Sequence, residues 1–161
     1  MSEACDCCSG ETYEACCGPR HTGAAPAPSA EALMRSRYSA YARADAQYLV
    51  DTWGEAGRPS LEELQADLEA QVKRGERWVK LKVHMARGEG DDQEGEVVFE
   101  ASLLSAGHLT TLLEVSQFQR QGGVWRYVGG DPKFNTRKLG RNEPCPCGCG
   151  GKVKRCLSAR R

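Results

Sequence analysis

The chain has no long uncharged apolar run, and a membrane-spanning helix needs about 20 predominantly apolar residues in sequence, so no segment is expected to cross a bilayer. Met1 to Cys8 are small, acidic or thiol-bearing, and no apolar stretch follows a basic segment as an export signal requires, so a cytoplasmic location is expected. Cysteine is absent from Gly18 to Pro144, although the chain carries nine. All nine lie in two short terminal clusters, away from any place where a disulfide would staple a core. In a chain without an export signal this density predicts thiolate metal ligands rather than disulfides. Net charge is also absent, since 22 basic residues balance 22 acidic ones. The balance is not local. From Lys133 onward nine basic residues face a single acid, Glu143, which leaves thirteen basic against twenty-one acidic before it. A basic tail on an acidic body implies either an acidic partner for the tail or attraction between the two parts.

At 161 residues, 40% hydrophobic and 27% charged, the chain suits one globular core with small appendages. The N-terminal cluster occupies residues 1–18, and the Pro/Ala/Gly-rich stretch over 19–28 reads as a linker. A domain over 29–132 comes next, then a basic tail with the second cluster over 133–161. Ser29 is a candidate N-cap for a helix carrying Leu33, Met34, Tyr38 and Tyr41 at helical spacing to about Ala44. Asp45 is placed to cap a second helix, with Leu49 and Trp53 four apart and an end at Gly54. Ser60 and Glu63 have capping-box spacing, and Leu61, Leu64, Leu68 and Val72 form one apolar stripe.

From Trp78 the period becomes two, with Val79, Leu81, Val83 and Met85 alternating with Lys80, Lys82 and His84. Further strands are expected over 96–104, 108–120 and 124–128, joined by short Gly-rich or polar turns that favour an antiparallel meander. Helices first and then consecutive strands predict an α+β fold, the N-terminal helices laid on one face of a bent antiparallel sheet.

Cys5, Cys7, Cys16 and Cys17 form two close thiolate pairs across a short loop, a set that closes a tetrahedron on zinc without an open position. Such a site is structural, the alternative being free or redox-active thiols. A knuckle this small has almost no core of its own, so losing a ligand is expected to unfold it and spare the central domain. Cys145, Cys147 and Cys156 repeat the same spacing, but Leu157 stands where the first copy has Cys17. Cys149, a histidine or a water are the alternatives for the fourth place, and an empty site is the other reading.

The segment from Gly140 to Cys156, with its Arg-Asn-x-Pro-Cys-Pro-Cys-Gly lead-in, resembles the SEC-C zinc motif found in the C-terminal tail of the bacterial translocase ATPase. With Leu33–Tyr41, Tyr48-Leu49, Trp53, Glu114–Phe118 and Trp125–Asp131 added, nearly the whole chain is similar to the YchJ family. Cys8 and Cys149 depart from the motif, which usually has Gly and Ser there. The resemblance implies a nuclear-transport-factor-two-like, cone-shaped central domain and zinc ligands at both ends, and it implies no reaction. In the translocase the motif docks an export chaperone, which implies an adaptor role here toward a protein or ribosomal partner, with Lys152, Lys154 and Arg155 as contact residues.

Two other functions are readable. Glu114 and Ser116 share a strand face with Leu112 and Phe118, which would set a carboxylate among apolar groups in a ligand-binding or enzymatic pocket, with Arg35 and Arg37 as candidates to neutralise it. No Ser/His/Asp set, phosphate loop or paired histidines accompanies Glu114, so no reaction is assigned. The basic tail also suggests nucleic-acid binding, but Phe134 is the only aromatic from Lys133 to Arg161 and base stacking is poorly supplied.

Overall fold

A computed structural model of the chain describes residues 2–155. Cys156 and Leu157, and with them two of the positions that decide the second cluster, lie outside the described residues. Four helices precede four strands: α1 Gly18–His21, α2 Ala30–Ala42, α3 Ala46–Asp51, α4 Leu61–Lys73, β1 Arg77–Arg87, β2 Glu94–Ser105, β3 His108–Gln121 and β4 Val124–Lys138. The strands form an open antiparallel sheet in chain order. Among the described residues no helix is long and apolar enough to cross a membrane.

The helix starts are explained by their caps. Ser29 Oγ accepts from the Ala32 N–H and Asp45 from that of Tyr48, each satisfying a donor the helix itself leaves open. At α4 the capping box is reciprocal, with Glu63 N–H on Ser60 Oγ at 3.1 Å and Ser60 N–H on Glu63 Oε2 at 3.2 Å. The expected α4 stripe is buried only in its middle. Leu64 and Leu68 pack with Ala40, Ala46 and Leu49, while Leu61 and Val72 are 37% and 64% exposed. α3 is only six residues long, too short to cover four turns of α4.

The expected linker is partly helical. Pro19 sits in the first turn of α1, where its missing N–H costs nothing. A Cβ at Gly18 would lie 2.8 Å from the Tyr13 carbonyl oxygen, so this close approach requires glycine. His21 then ties the segment down, bonding the Tyr13 hydroxyl through Nδ1 and the Ser36 carbonyl through Nε2, each at 2.8 Å.

Two irregularities in β1 break the simple alternation expected there. Register shifts fall between Trp78 and Lys80 and between Val83 and Met85. A bulge inserts one residue and so reverses the face on which the subsequent residues lie. The first places Trp78 on the same side as Leu81 and Val83, where all three join the main core, and turns Val79 to the opposite face beside Leu104. The second sends Met85 out, 45% exposed. β4 runs ten residues past its expected end at Val128. Gly129, Gly130 and Pro132 do not stop it because β4 is an edge strand, where a proline without an N–H is tolerated. The main core lies between the inner sheet face (Leu81, Val97, Phe99, Phe118, Trp125) and α2 (Leu33, Met34, Tyr38).

Candidate metal centres and a central cavity

The first cluster brings together all four cysteines expected of it. The sulfurs of Cys5, Cys7, Cys16 and Cys17 lie within 4.8 Å of one another, with Cys7–Cys16 at 3.5 Å and Cys16–Cys17 at 3.8 Å. Four sulfurs about 2.3 Å from a tetrahedral ion stand ~3.8 Å apart, so the donor set fits a four-thiolate metal ion. Hydroxyls support it: Ser39 Oγ donates to Cys17 Sγ and Ser9 Oγ to Cys16 Sγ, both at 3.3 Å. Without an ion, the hydrogen bond from Cys17 holds the Cys7 thiol down to about 4. The same bond, then burial, pushes Cys17 up, and burial raises Cys16.

This knuckle is not an appendage. Cys5, Cys7 and Cys17 are buried members of the main core. Arg35 Nη1 donates to the Cys7 carbonyl at 2.8 Å, and Arg43 pairs with Asp6 at 2.7 Å and Glu3 at 3.3 Å while lying 3.6 Å over the Tyr13 ring. The expectation that loss of a ligand would unfold the knuckle alone does not survive this packing, because its thiols and α2 share one interior.

The second cluster repeats the first at an offset of 140 residues. Cys5 N–H on Glu11 O and Cys145 N–H on Gly151 O are both 2.9 Å. Cys8 N–H on Cys5 O and Gly148 N–H on Cys145 O are both 3.3 Å. The bridges Ala4–Thr12 and Pro144–Lys152 correspond, as do the 3₁₀ turns Tyr13–Ala15 and Val153–Arg155. Cys149 thus stands where the first copy has Ser9, the residue whose hydroxyl touches a ligand sulfur. That placement accounts for its reach: the sulfurs of Cys145, Cys147 and Cys149 all lie within 4.8 Å of one another, with Cys145–Cys147 at 3.2 Å. Cys8 corresponds to Gly148, and both backbones have positive φ, +60° and +82°. The second knuckle packs elsewhere. Cys145 and Val153 join Leu104 and Leu139 in a small cluster with Val79 and Leu109. Leu103 and Thr110 line the inner cavity, so their neighbours Leu104 and Leu109 stand on the opposite face of the sheet.

Between α2 and the inner face lies a cavity of about 280 Å³, whose lining includes Arg37, Tyr41, Glu114, Ser116, Phe118 and Tyr127. Three of the four expected pocket residues meet there. Ser116 Oγ donates to Glu114 Oε2 in a short hydrogen bond. Arg37, buried at 5% exposure, donates to the Leu49 carbonyl at 2.8 Å and Thr52 Oγ1 at 2.7 Å and lies 4.6 Å from the Tyr127 ring centre. Burial lowers its pKa. Arg35 is not among the lining residues. Two positions along a helix turn the side chain about 200°, to the far side, where it bonds Glu31 and Cys7.

The chain is similar to known proteins over nearly its whole length. The family model described as "YchJ, middle NTF2-like domain" matches residues 29–130, and the UPF0225 protein YchJ of Shigella dysenteriae serotype 1 (strain Sd197) is 40% identical over 157 residues, 97% of this chain and 98% of its own. The chain belongs to the YchJ family. A UPF0225 protein of Pectobacterium carotovorum subsp. carotovorum (strain PC1) is likewise 40% identical, over 159 residues covering 97% of this chain and 98% of its own. In solved structures this YchJ-family chain is similar to a SEC-C motif containing protein from Rhodopseudomonas palustris, with a TM-score of 0.69 and 34% identity over 81% of this chain and 98% of that one. A second SEC-C motif containing protein, from Psychrobacter arcticus, has a TM-score of 0.65 and 25% identity, covering 94% and 93%. The SEC-C resemblance read from Gly140–Cys156 and the fold implied for the middle of a YchJ protein are thus both present.

Sequence reasoning missed the groups that serve the first centre from outside it: Ser39, Arg35 and Arg43. They lie at least 22 residues from the knuckle residues they touch, Cys17, Cys7 and Asp6, on or at the end of a helix whose pattern reports only its own faces. Ser9 was findable by aligning the two ends.

Proposed function

We propose that this protein is a zinc-structured adaptor in which the first knuckle is part of the fold and the second, with the end of β4, docks an acidic segment of a partner protein. Both cysteine clusters take zinc in this reading, the ion that thiolate-rich tetrahedral sites favour without redox chemistry. The observation that carries the docking role is the convergence of His108, Lys138, Arg141 and Lys154 on one groove of about 590 Å³ between the β2–β3 turn and the second knuckle. The floor is fixed by buried Leu139 and Val153 and by the bond from Leu139 N–H to the Gly107 carbonyl at 2.8 Å. Lys152 and Arg155 are exposed beside it, and the described acid nearest in sequence, Glu143, is already taken by Arg137 at 3.0 Å. The chemistry that matches such a groove is a run of carboxylates, held by screened charge rather than by apolar packing.

Fluorescence anisotropy of the full chain with a labelled oligo-glutamate peptide tests this. Binding should weaken steeply between 50 and about 200 mM salt. The double change Lys138→Glu/Arg141→Glu should lower affinity roughly tenfold or more, about 1.4 kcal/mol, while Lys80→Glu/Lys82→Glu on the sheet should not. Equal loss in both variants, or tighter binding of single-stranded RNA than of the peptide, would remove the proposal.

A further inference from the structure

Two side chains of opposite charge face the cavity beneath α2, Arg37 buried and Glu114 half-buried, and they do not meet. Arg37 and Glu114 both line it, yet among the described residues the carboxylate's hydrogen bond is to Ser116, and Arg37 donates to the Leu49 carbonyl and Thr52. No ion pair joins the two. Removing charges from water is costly unless they are paired or well hydrogen-bonded, and a carboxylate has about four lone-pair sites to fill. The room for Glu114 is built in: a Cβ at Gly130 would come within 2.8 Å of the Glu114 carboxyl group and 3.0 Å of the Tyr127 hydroxyl. The other walls are apolar, from Phe99, Leu112, Phe118 and Trp78. Phe134, on the edge strand and 67% exposed, marks the mouth together with Thr110 and Gln71. At about 280 Å³ the space lies at the small end of ligand sites, roughly 300–1,000 Å³.

We propose that this cavity binds a compact amphipathic zwitterion, the chemical class of an apolar α-amino acid, with its ammonium group on Glu114, its carboxylate toward Arg37 and its side chain among Phe99, Leu112 and Phe118. A ligand carrying one charge would satisfy one of the two cavity-lining groups and face repulsion from the other. A zwitterion satisfies both and adds no net charge to a low-dielectric space. This site is separate from the basic groove, so the two proposals stand or fall independently.

Titration of the isotope-labelled full chain with L-leucine and L-phenylalanine, monitored by amide NMR shifts, tests the assignment. Phenethylamine and 3-phenylpropionate, each lacking one charge, serve as comparisons. Saturable shifts centred on Glu114, Ser116 and Phe118 are expected for the amino acids, with at least tenfold weaker binding of the two comparison compounds. Glu114→Gln, a near-isosteric change that keeps the Ser116 contact, should weaken amino-acid binding at least tenfold, and so should Gly130→Ala, which pushes the carboxylate aside. The proposal is overturned if neither amino acid gives saturable shifts, if the amine or the acid binds as tightly, or if Glu114→Gln binds unchanged.

Discussion

The loop holding Cys5 and Cys7 is pressed against α2, with Ser39 Oγ 3.7 Å from the Cys5 sulfur and Arg35 on the Cys7 carbonyl. The loop holding Cys145 and Cys147 has the same backbone hydrogen bonds but rests on a small cluster around Leu104 and Leu139 at one end of the opposite sheet face. One local design thus has two energetic roles. The first copy is interior, and three of the four cysteines that could hold its metal are buried core residues. The second is peripheral, leaving its exposed Lys152 and Arg155 available. A short ligand pattern determines the knuckle, while its neighbours determine whether the rest of the protein depends on it.

Removing a ligand from each copy gives the widest separation. Cys17→Ser takes a buried thiol from both the first centre and the main core. Structural zinc sites carry about 10–16 kcal/mol of apparent binding free energy, of which a loss of even ~5 kcal/mol lowers Tm by roughly 15 °C. The main cooperative transition should fall by at least that much in circular dichroism melts. Cys145→Ser should move it by only about 3 °C, and equal shifts would erase the distinction between interior and peripheral copies.

Metal affinity should separate the copies next. Competition against a chromophoric chelator is expected to strip the second site first, by at least tenfold in affinity, because its cysteine at position 149 replaces the hydroxyl that supports the first site. Cys149→Ser should abolish the weaker zinc alone, and Leu157→Cys should tighten it by restoring the Cys16-Cys17 pairing. Two equivalent zinc ions retained in Cys149→Ser would show that Cys149 is not a ligand.

Ser39→Ala probes the support that only the first copy receives from α2. Its hydroxyl is fully buried and donates to Cys17, so its loss should reduce affinity at the first site about 10–100-fold and leave the second unchanged in the same competition assay. The smallest effect concerns Cys8, at φ +60° where the second copy has Gly148. Cys8→Gly relieves a left-handed backbone position that costs a non-glycine residue ~1 kcal/mol, partly offset by the greater freedom of glycine in the unfolded chain. A rise in Tm of about 1–3 °C is expected, and a fall would mean that the thiol itself contributes.

Local signals were legible in the sequence wherever the cause was local. The Ser29, Asp45 and Ser60 caps are satisfied by N–H groups three residues on, so the residues that define each helix start are also its mechanism. The first cysteine cluster was legible for the same reason, since Cys5 through Cys17 close on one another within thirteen residues. Glu114 and Ser116 were placed on one face by strand alternation alone. The rest depended on neighbours. Met85 fits the apolar alternation of its strand yet faces out, because the bulge beside it is a property of the β1–β2 pairing. β4 passes through Pro132 because it is the edge strand of the sheet, where a proline without an N–H is tolerated.

The sequence by itself determined the α+β order of elements, the caps, the strand periods and both sets of closely spaced cysteines, all of which rest on interactions within a few residues or a single turn. Only the tertiary structure decided that the first knuckle is part of the core, that Arg37 rather than Arg35 enters the cavity with Glu114, and that basic residues from the end of β4, the start of β3 and the second knuckle share one groove. Burial and charge proximity are properties of surfaces brought together from distant parts of the chain, and periodicity within one segment does not specify which surface it will meet.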